Sequence, residues 1–538
     1  MLNILIKNGL VVDGTGNDAY NADIGILDDK IVEISENIHD SADKIIDASG
    51  LIVAPGFIDV HSHNDLVTFM SEKIRGLKLM QGVTTELVGQ CGLGVVPCVH
   101  GKDRGWKSYI KGVVGDPDLK WSFHDVDEYM DKISSRGLKN NYGMLISQGA
   151  IRVNTVGFSS KIPDTGELQQ MCDIVEDAMK KGAFGMSLGL QYVPGIFSRE
   201  DELIALCRVV EKYDGIVMVH VRNHDNTMKN ALREIIDIAL RSGVRLQVSH
   251  MRSYASKELG CSAGSLIEIV EKAVKAGVNI TFDEHLYLSG STLMTQLLPP
   301  WITEKGKDRL IDMLKDEKCL DRVKSEIEDT SVSYAGWDNY SAVAGWDGIL
   351  ITSVKKPGNL KYIGKTVGEI SRDLNVHPVD FIAGLIIEEN AGVGIVTLNI
   401  FSEEDTLELI KHPLQMVGSD SIPAGVPHPR LYGNYPLFIG KFIRDKKVLS
   451  LEQGIYKCTL FPAVTLGLKD RGKLAEGKTA DITVFDFDEI EGYEDYNNSR
   501  KEPAGIKYVV LNGKVAVENG NLCKRDYGRV IRHCKCFI

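Results

Sequence analysis

The segment APGFIDVHSHND, residues 54–65, ends a short apolar run at a pair of histidines, and this pattern recurs along the chain. The other instances are GVTTELVGQC (82–91), GIVMVHVRNH (215–224), VRLQVSH (244–250), GVNITFDEH (277–285) and LQMVGSD (414–420). Short runs rich in β-branched residues are typical of strands buried on both faces of a parallel sheet. The pattern therefore predicts a parallel sheet whose strands end at polar side chains.

Amphipathic helical patterns separate several of these runs. They are GELQQMCDIVEDAMKKG (166–182), MKNALREIIDIALRSG (228–243), AGSLIEIVEKAVKAG (263–277) and EEDTLELIKH (403–412). A repeat of strand, polar end and helix favours an α/β fold of the (β/α)8 barrel type, with an open doubly wound sheet as the alternative. In a barrel, the polar strand ends converge on one mouth, where such proteins do their chemistry.

The two ends of the chain share a different sequence pattern, which predicts short strands that alternate with tight turns. Examples are ILIKNGLVVDG (4–14) and GIKYVVLNGKVAVENG (505–520). We predict that residues 1–54 and 473–538 together form a small β-sandwich domain and that residues 55–472 form the barrel. A stretch near 289–345 is too long for a simple loop and predicts an insertion at the barrel mouth, which could be a lid or a scaffold.

The bulk composition excludes several classes of protein. A net charge of −12 that is not gathered into runs argues against nucleic acid as a partner. No apolar stretch reaches the length of about 20 residues that spans a bilayer, and the first residues lack the pattern of a signal peptide. The ten cysteines are scattered, as is usual for reduced thiols, so we expect a cytoplasmic protein without a membrane partner.

Four histidines coincide with predicted strand ends. His61 and His63 lie two apart on one strand, so their rings share a face, and His220 and His250 end two further strands. Each one alone could be a hydrogen-bonded structural histidine. Together they indicate a metal cluster, and zinc is the expected ion because imidazoles suit it and no redox motif accompanies them.

Two other strand-end residues have chemistry that such a cluster could use. Cys91 could be a buried small hydrophobe, a nucleophile or a thiolate ligand, and the histidine cluster favours the ligand. Asp420 could cap a helix or transfer protons beside the metal, and the second role is our hypothesis. Asp283 and His285 end another strand, where either could support a metal ligand from behind.

Several longer motifs resemble a known family. They are APGFIDVHSHND (54–65), GVTTELVGQCGLGVVP (82–97), FGMSLGLQYVPG (184–195), VHVRN (219–223), STLMTQLLPPW (291–301), VGSDSIPAGVPHPRLYGNYP (417–436) and PAVTLGLKDRGKLAEG (462–477). Together they resemble the D-aminoacylases, or N-acyl-D-amino-acid deacylases, of the amidohydrolase superfamily. The resemblance implies a distorted (β/α)8 barrel with a β-sandwich built from both termini. It also implies hydrolysis of small N-acyl-D-amino acids.

The resemblance also implies roles for individual residues. The tighter zinc would be held by Cys91, which stands where many superfamily members carry a carboxylated lysine, with His220 and His250. A second, weaker zinc site would involve His61, His63 and Asp420, with Asp420 catalytic. Four residues would contact the substrate: Tyr192, Arg252, Asp283 and Ser289. Of these, Tyr192 and Arg252 would bind the substrate carboxylate. Two departures from the family, HVRNH at His224 and EHLYLSG at His285, lie near the expected pocket.

Two other functions are alternatives to this one. A cyclic amidase of the dihydroorotase or hydantoinase type opens with a similar histidine strand, but it generally presents a lysine near the second or fourth barrel strand. The second strand here ends at VGQCG (88–92). A non-catalytic barrel without metal is the other alternative, and the complete set of candidate ligands argues against it.

Overall fold

The computed structural model describes residues 1–99, 101–102, 105–121, 123–254, 260–304, 306–496 and 498–534. The strands are β1 (Leu2–Val11), β2 (Tyr20–Leu27), β3 (Lys30–Ser35), β4 (Ala42–Asp47), β5 (Ile52–Pro55), β6 (Phe57–Asp59), β7 (Val83–Val88), β8 (Asn141–Met144), β9 (Ile146–Ser147), β10 (Gly185–Gly189), β11 (Ile216–His220), β12 (Arg245–Val248), β13 (Ile280–Glu284), β14 (Gly290–Leu293), β15 (Ile349–Ser353), β16 (Gly394–Thr397), β17 (Gln415–Val417), β18 (Ile482–Phe485), β19 (Ile506–Leu511), β20 (Lys514–Glu518) and β21 (Asn521–Leu522).

The α-helices occupy the segments between and around these strands. They are α1 (Glu72–Arg75), α2 (Trp106–Val114), α3 (Val126–Arg136), α4 (Gln148–Thr155), α5 (Thr165–Lys180), α6 (Glu200–Lys212), α7 (Met228–Ser242), α8 (Ala263–Lys275), α9 (Pro300–Thr303), α10 (Lys307–Leu314), α11 (Glu317–Glu328), α12 (Tyr340–Ala344), α13 (Val367–Leu374), α14 (Pro378–Glu388), α15 (Glu403–Lys411), α16 (Arg430–Leu437), α17 (Leu451–Cys458) and α18 (Leu460–Leu466).

Parallel strands in the middle of the chain form the barrel. In the part of the chain that is described, β6, β7 and β8 make a three-stranded sheet, and β9 to β13 with β17 make a six-stranded one. Leu145 separates β8 from β9, so this broken strand carries the barrel from one sheet to the next. At the other seam, the Asp420 N–H donates to the His61 carbonyl and the His63 N–H donates to the Ser421 carbonyl. The fold is a distorted (β/α)8 barrel, as predicted.

The barrel strands are buried on both sides. Every residue of β7, β11 and β13 is buried, as expected for parallel strands that are covered on both faces. The outer helices bury one stripe each, and α7 shows the spacing with Leu232, Ile235 and Ala239 facing inwards. Because the strands are parallel, their carboxyl ends lie at the same end of the barrel. The residues that follow the strands therefore meet at the barrel mouth.

Both chain termini contribute to one β domain. Its nine-stranded sheet, counted over the described residues, has the order β21-β20-β19-β18-β5-β1-β2-β3, and β4 also pairs with β1. The sheet splits at β1, whose first half pairs with β4 and whose end pairs with β5. It encloses a core that includes Ile6, Ile24, Val53, Ile482 and Val510. The N-terminal and C-terminal strands meet where β5 pairs with β18 in antiparallel register.

A second unit separates β13 from α15. Strands β14, β16 and β15 form a small antiparallel sheet, which packs with α9 to α14 around their own apolar core. The stretch near 289–345 is the first part of this unit, and the chain continues through β16 before it returns to the barrel. We call residues 285–402 the insertion. Its sheet starts directly after β13, so residues of the insertion lie over the barrel mouth.

Two further features concern the sequence expectations. Cys91, Cys207, Cys261 and Cys458 are buried free thiols, while Cys536 lies outside the described residues. No helix in the described ranges combines the length and the apolar character that a membrane crossing requires.

Candidate metal centre

The strand ends bring six side chains together at the barrel mouth. The ligand atoms of His61, His63, Cys91 and Asp420 lie within 4.8 Å of one another, and so do those of Cys91, His220 and His250. All six side chains are buried. Cys91 belongs to both groups, so its thiol lies between them.

The atoms of the two groups are close enough to share cations. Cys91 Sγ lies 3.2 Å from His61 Nε2 and 3.7 Å from His250 Nε2. His220 Nδ1 lies 2.9 Å from His250 Nε2. Asp420 Oδ1 lies 3.4 Å from His61 Nε2 and 3.3 Å from His63 Nε2. A set of one sulfur, four imidazole nitrogens and a carboxylate oxygen fits zinc.

Three of the six residues have left-handed backbone conformations. The φ angles are 53° at Cys91, 33° at His250 and 46° at Asp420. Such angles cost a non-glycine residue about 1–3 kcal/mol and persist where the surrounding structure enforces them. Each angle turns the chain just after a barrel strand, so that the side chain points into the mouth. Three of the six candidate ligands therefore adopt a backbone conformation that the surrounding structure must enforce.

Gly92 allows the Cys91 loop to lie against a neighbouring barrel strand. Its φ is +65°, and a Cβ built on it would lie 2.7 Å from the Gly189 nitrogen at the end of β10. Any side chain here would push the loop outwards. This is the physical reason for a glycine beside the thiol.

The charges of the site are set by these contacts. Burial alone would raise the pKa of the Cys91 thiol, yet His61, His220 and His250 lower that pKa well below its usual range. Burial likewise opposes ionisation of Asp420, but Arg430 and His61 hold the pKa of the carboxyl well below its usual range. Burial and the neighbouring His250 lower the pKa of His220 to about 3. Burial opposes protonation of His61 and His63, yet Asp283, Cys91 and Asp420 hold the pKa of His61 well above its usual range, and Asp420 and Cys91 raise the pKa of His63 to about 9. The anionic groups thus favour positive charge between them, which is the electrostatics of a cation site.

A cavity opens beside the two ligand groups. Its wall includes Tyr192, His224, His285, Thr292 and Arg430. The Tyr192 hydroxyl lies 3.4 Å from Thr292 Oγ1. Arg430 Nη2 lies 3.0 Å from Asp420 Oδ2, so the cavity has a cationic group next to the candidate proton-transfer residue.

Comparison with known proteins places this arrangement in a family. The model of the amidohydrolase family matches residues 44–296 and 381–517, more than half of the chain. The chain belongs to the amidohydrolase family. The gap between the two matched segments falls inside the insertion.

Named relatives confirm the resemblance of this amidohydrolase to the D-aminoacylases. An N-acyl-D-glutamate deacylase of Alcaligenes xylosoxydans xylosoxydans is 28% identical over 99% of this chain and 96% of the relative. A D-aminoacylase of the same organism is 26% identical over 98% of this chain and 97% of the relative. A solved N-acyl-D-glutamate deacylase from Bordetella bronchiseptica, complexed with zinc and a phosphonate mimic of the tetrahedral intermediate, is 27% identical, with a TM-score of 0.83 covering 99% of both chains.

The structure of this amidohydrolase brings Tyr192 to the cavity but uses Arg252 elsewhere. Arg252 Nε lies 2.5 Å from Glu284 Oε2, its Nη2 contacts the His285 ring at 3.0 Å, and its guanidinium stacks on Phe401 at 4.1 Å. Among the described residues that line the cavity, Arg252 is not included. The buried Glu284 carboxylate therefore pairs with the Arg252 guanidinium, for which the sequence predicted a substrate carboxylate as the partner.

Asp283 and Ser289 also lie away from the cavity wall, as far as the described residues define it. Both Asp283 oxygens accept hydrogen bonds within the protein, one from the His250 N–H and the other from Gln247 Nε2. The Ser289 hydroxyl accepts the Asn399 N–H at 3.0 Å. The contacts of Asp283 place it behind the ligand groups, in the supporting position that was one of the two predictions for it. The substrate-binding roles of Asp283 and Ser289 stay predictions.

Sequence reasoning did not single out two residues that this amidohydrolase places at the site. Arg430 lies ten residues beyond Asp420 and begins α16 directly after the segment PHP (427–429), where the basic residue was a usable signal. Gln191 precedes Tyr192 and its Oε1 lies 2.7 Å from His220 Nε2. A glutamine gives no comparable signal in a single sequence.

Proposed function

We propose that this amidohydrolase hydrolyses the amide bond of N-acyl-D-amino acids to a carboxylate and a free D-amino acid. The observation that carries the proposal is the position of Cys91 in both ligand groups, with Asp420 and the cavity beside them. The deacylases named above match nearly the whole chain, which supports the same reaction and the D configuration.

Zinc is the proposed cofactor. Cys91, His220 and His250 would hold the tighter ion, while His61, His63 and Asp420 would contribute to a second, weaker site. Bound zinc supplies a Lewis acid for the scissile carbonyl and lowers the pKa of a water molecule towards neutrality.

Asp420 is the proposed general base and general acid. Its Oδ1 faces His61 and His63, while its Oδ2 faces Arg430, so the carboxylate is held between the ligand groups and the cavity. An ionised carboxylate at this position accepts the proton of the attacking water. It then donates that proton to the departing amide nitrogen, which leaves as an amine.

Arg430 and Tyr192 are the proposed anchors of the substrate α-carboxylate. Both line the cavity, and Arg430 is buried. Arg430 Nη2 pairs with Asp420 Oδ2 at 3.0 Å, while its Nε has no hydrogen-bond acceptor within the described residues. A guanidinium has five N–H donors, so a group that pairs with Asp420 through Nη2 keeps further donors for a substrate carboxylate, and their fixed geometry orients the substrate. His224 and His285 face the same cavity and are placed to contact the acyl group or the side chain.

Activity and zinc content measured on one purified sample test this proposal. Matched N-acyl-D- and N-acyl-L-amino acids should give turnover for the D series, and the protein should contain zinc. Removal of zinc by a chelator should abolish turnover, and added zinc should restore it. Dihydroorotate and hydantoins serve as the cyclic substrates in the same assay. Hydrolysis of the cyclic amides alone, or of the L series alone, would overturn the substrate assignment.

The cellular location is also a proposal. We infer a cytoplasmic protein because Cys91, Cys207, Cys261 and Cys458 are free thiols, which persist in a reducing compartment.

A further inference from the structure

A chain of hydrogen bonds connects the insertion to one candidate metal ligand. His220 Nε2 lies 2.7 Å from Gln191 Oε1, and Gln191 Nε2 donates to Asp338 Oδ2 at 2.9 Å. His220 ends β11, Gln191 follows β10, and Asp338 belongs to the insertion. All three side chains are buried, so water does not compete for these bonds.

The direction of this chain follows from the chemistry of its last member. An ionised carboxylate only accepts hydrogen bonds, so the NH₂ group of Gln191 must face Asp338. The carbonyl oxygen of Gln191 must then face His220, and that oxygen requires a donor. His220 therefore carries its proton on Nε2, and the lone pair of its neutral ring is on Nδ1, which faces His250.

Asp338 is held in the form that this argument needs. Besides Gln191, it accepts hydrogen bonds from Asn223 Nδ2 at 3.0 Å and from the His224 N–H and the Tyr254 hydroxyl at 2.9 Å each. Burial opposes ionisation, but the His224 ring, the Asn223 amide and the His224 N–H lower the pKa of Asp338. The insertion thus contributes the fully buried Asp338 carboxylate, whose oxygens accept hydrogen bonds from several donors.

We propose that Gln191 and Asp338 are positioning residues of the metal centre, which hold His220 in the tautomer whose Nδ1 binds the cation. The inference rests on the proposed zinc site. It assigns the insertion a role in metal affinity, because Asp338 acts on His220 through Gln191. Outer partners of metal-bound histidines commonly fix the tautomer and orientation of the ring in this way.

Zinc affinity of purified variants tests the proposal, with Zn²⁺ as the probe and a competing chelator as the reporter. Gln191→Leu removes the acceptor of His220, and Asp338→Asn lets Gln191 turn its amide. Each change should weaken zinc binding by about 10–100-fold. The double variant should bind no more weakly than Gln191→Leu alone, since Asp338 has no effect on His220 once the intervening amide is absent.

Gln148→Leu is the matched control. Gln148 is another buried glutamine at the barrel mouth, and it also binds a carboxylate, Glu202, at 3.1 Å. Its side chain donates to Ser198 and Glu202 and contacts none of the six candidate ligands through a hydrogen bond. Its loss should lower the thermal stability and leave zinc affinity unchanged.

The outcomes separate this inference from the proposed function. A wild-type protein that binds no zinc would refute the metal centre itself. A wild-type protein that binds zinc, with folded variants of equal affinity, would overturn only the positioning role. Additive losses in the double variant would do the same, because they would show that Asp338 acts by another route. If Asp338→Asn does not fold, Gln191→Leu and Gln191→Met decide the question.

Discussion

Asp283 Oδ1 lies 3.1 Å from His61 Nδ1 and accepts the backbone N–H of His250 at 3.0 Å. One buried oxygen therefore supports a residue from each ligand group. Because the carboxylate accepts at Nδ1, it directs the His61 Nε2 lone pair towards Cys91 and Asp420. This relationship favours a role for Asp283 in orienting the ligand groups.

Replacing Asp283 should therefore change metal binding before it changes substrate binding. Asp283→Ala should weaken zinc binding by about 10–100-fold, because His61 loses its orienting acceptor. Asp283→Asn should have a smaller effect, since an amide oxygen can still accept from His61. Zinc titration against a chelator measures both variants, and the KM of the zinc-saturated variants should equal that of the wild type. A raised KM with unchanged zinc affinity would restore the substrate-binding role.

The strand-end pattern predicted most of the barrel, and its gaps have a physical reason. Six runs ended at histidine, cysteine or aspartate and correspond to barrel strands, and the four amphipathic patterns correspond to α5, α7, α8 and α15. The strands β8 to β10 lacked the signal because they end at Ser147 and Gly189, which have no titratable side chain. Their positions become evident only from the parallel pairing with β7 and β11.

The site could be predicted from the sequence only for residues whose position does not depend on a partner from a neighbouring strand. Tyr192 lies on the cavity wall, and the six candidate ligands lie together. Arg252 and Arg430 are equivalent in a single sequence, since both are basic residues near strand ends. Their difference arises from Glu284, which lies on the neighbouring strand β13 and forms its ion pair with Arg252. Pairing between neighbouring strands depends on the folded barrel, so the sequence alone could not separate the two arginines.

Removal of the shared thiol should remove the tighter zinc. Cys91→Ala is expected to reduce the zinc content and abolish turnover, because Cys91 is common to both ligand groups. Zinc analysis and a turnover assay on the same preparation measure the effect. The matched control is Cys207→Ala, which removes a buried thiol from α6, where burial raises the pKa to about 12. That control should retain zinc and activity. An active, zinc-replete Cys91→Ala protein would show that the thiol is only part of the core.

The carboxylate at position 420 should matter more for turnover than for zinc content. Asp420→Asn preserves the shape of the side chain and tolerates the left-handed backbone at this position. Loss of the proton-transfer group should lower kcat by about 10²–10⁴-fold. Cys91, His220 and His250 are unchanged, so the tighter zinc should remain. Turnover close to that of the wild type would exclude Asp420 as the general base.

Arg430 and Arg252 offer a paired test of how the substrate is held. Arg430→Met should raise the KM of N-acyl amino acids by about 10–100-fold, since charge-assisted hydrogen bonds contribute roughly 1.5–3 kcal/mol. The matched N-acyl amino amides lack the carboxylate and should lose far less. The ratio of kcat/KM for the acid and the amide substrate is therefore the informative measurement, because it cancels any effect on Asp420.

Arg252→Met should leave that ratio unchanged and lower the stability instead. It removes the partner of the buried Glu284 carboxylate, and breaking a buried ion pair in this way costs about 3–5 kcal/mol. Denaturant unfolding measures the loss, and Arg252→Met with Glu284→Gln should recover part of it, because no uncompensated charge remains buried. A collapse of the acid-to-amide ratio in Arg252→Met but not in Arg430→Met would reverse the two assignments and make Arg252 the carboxylate anchor.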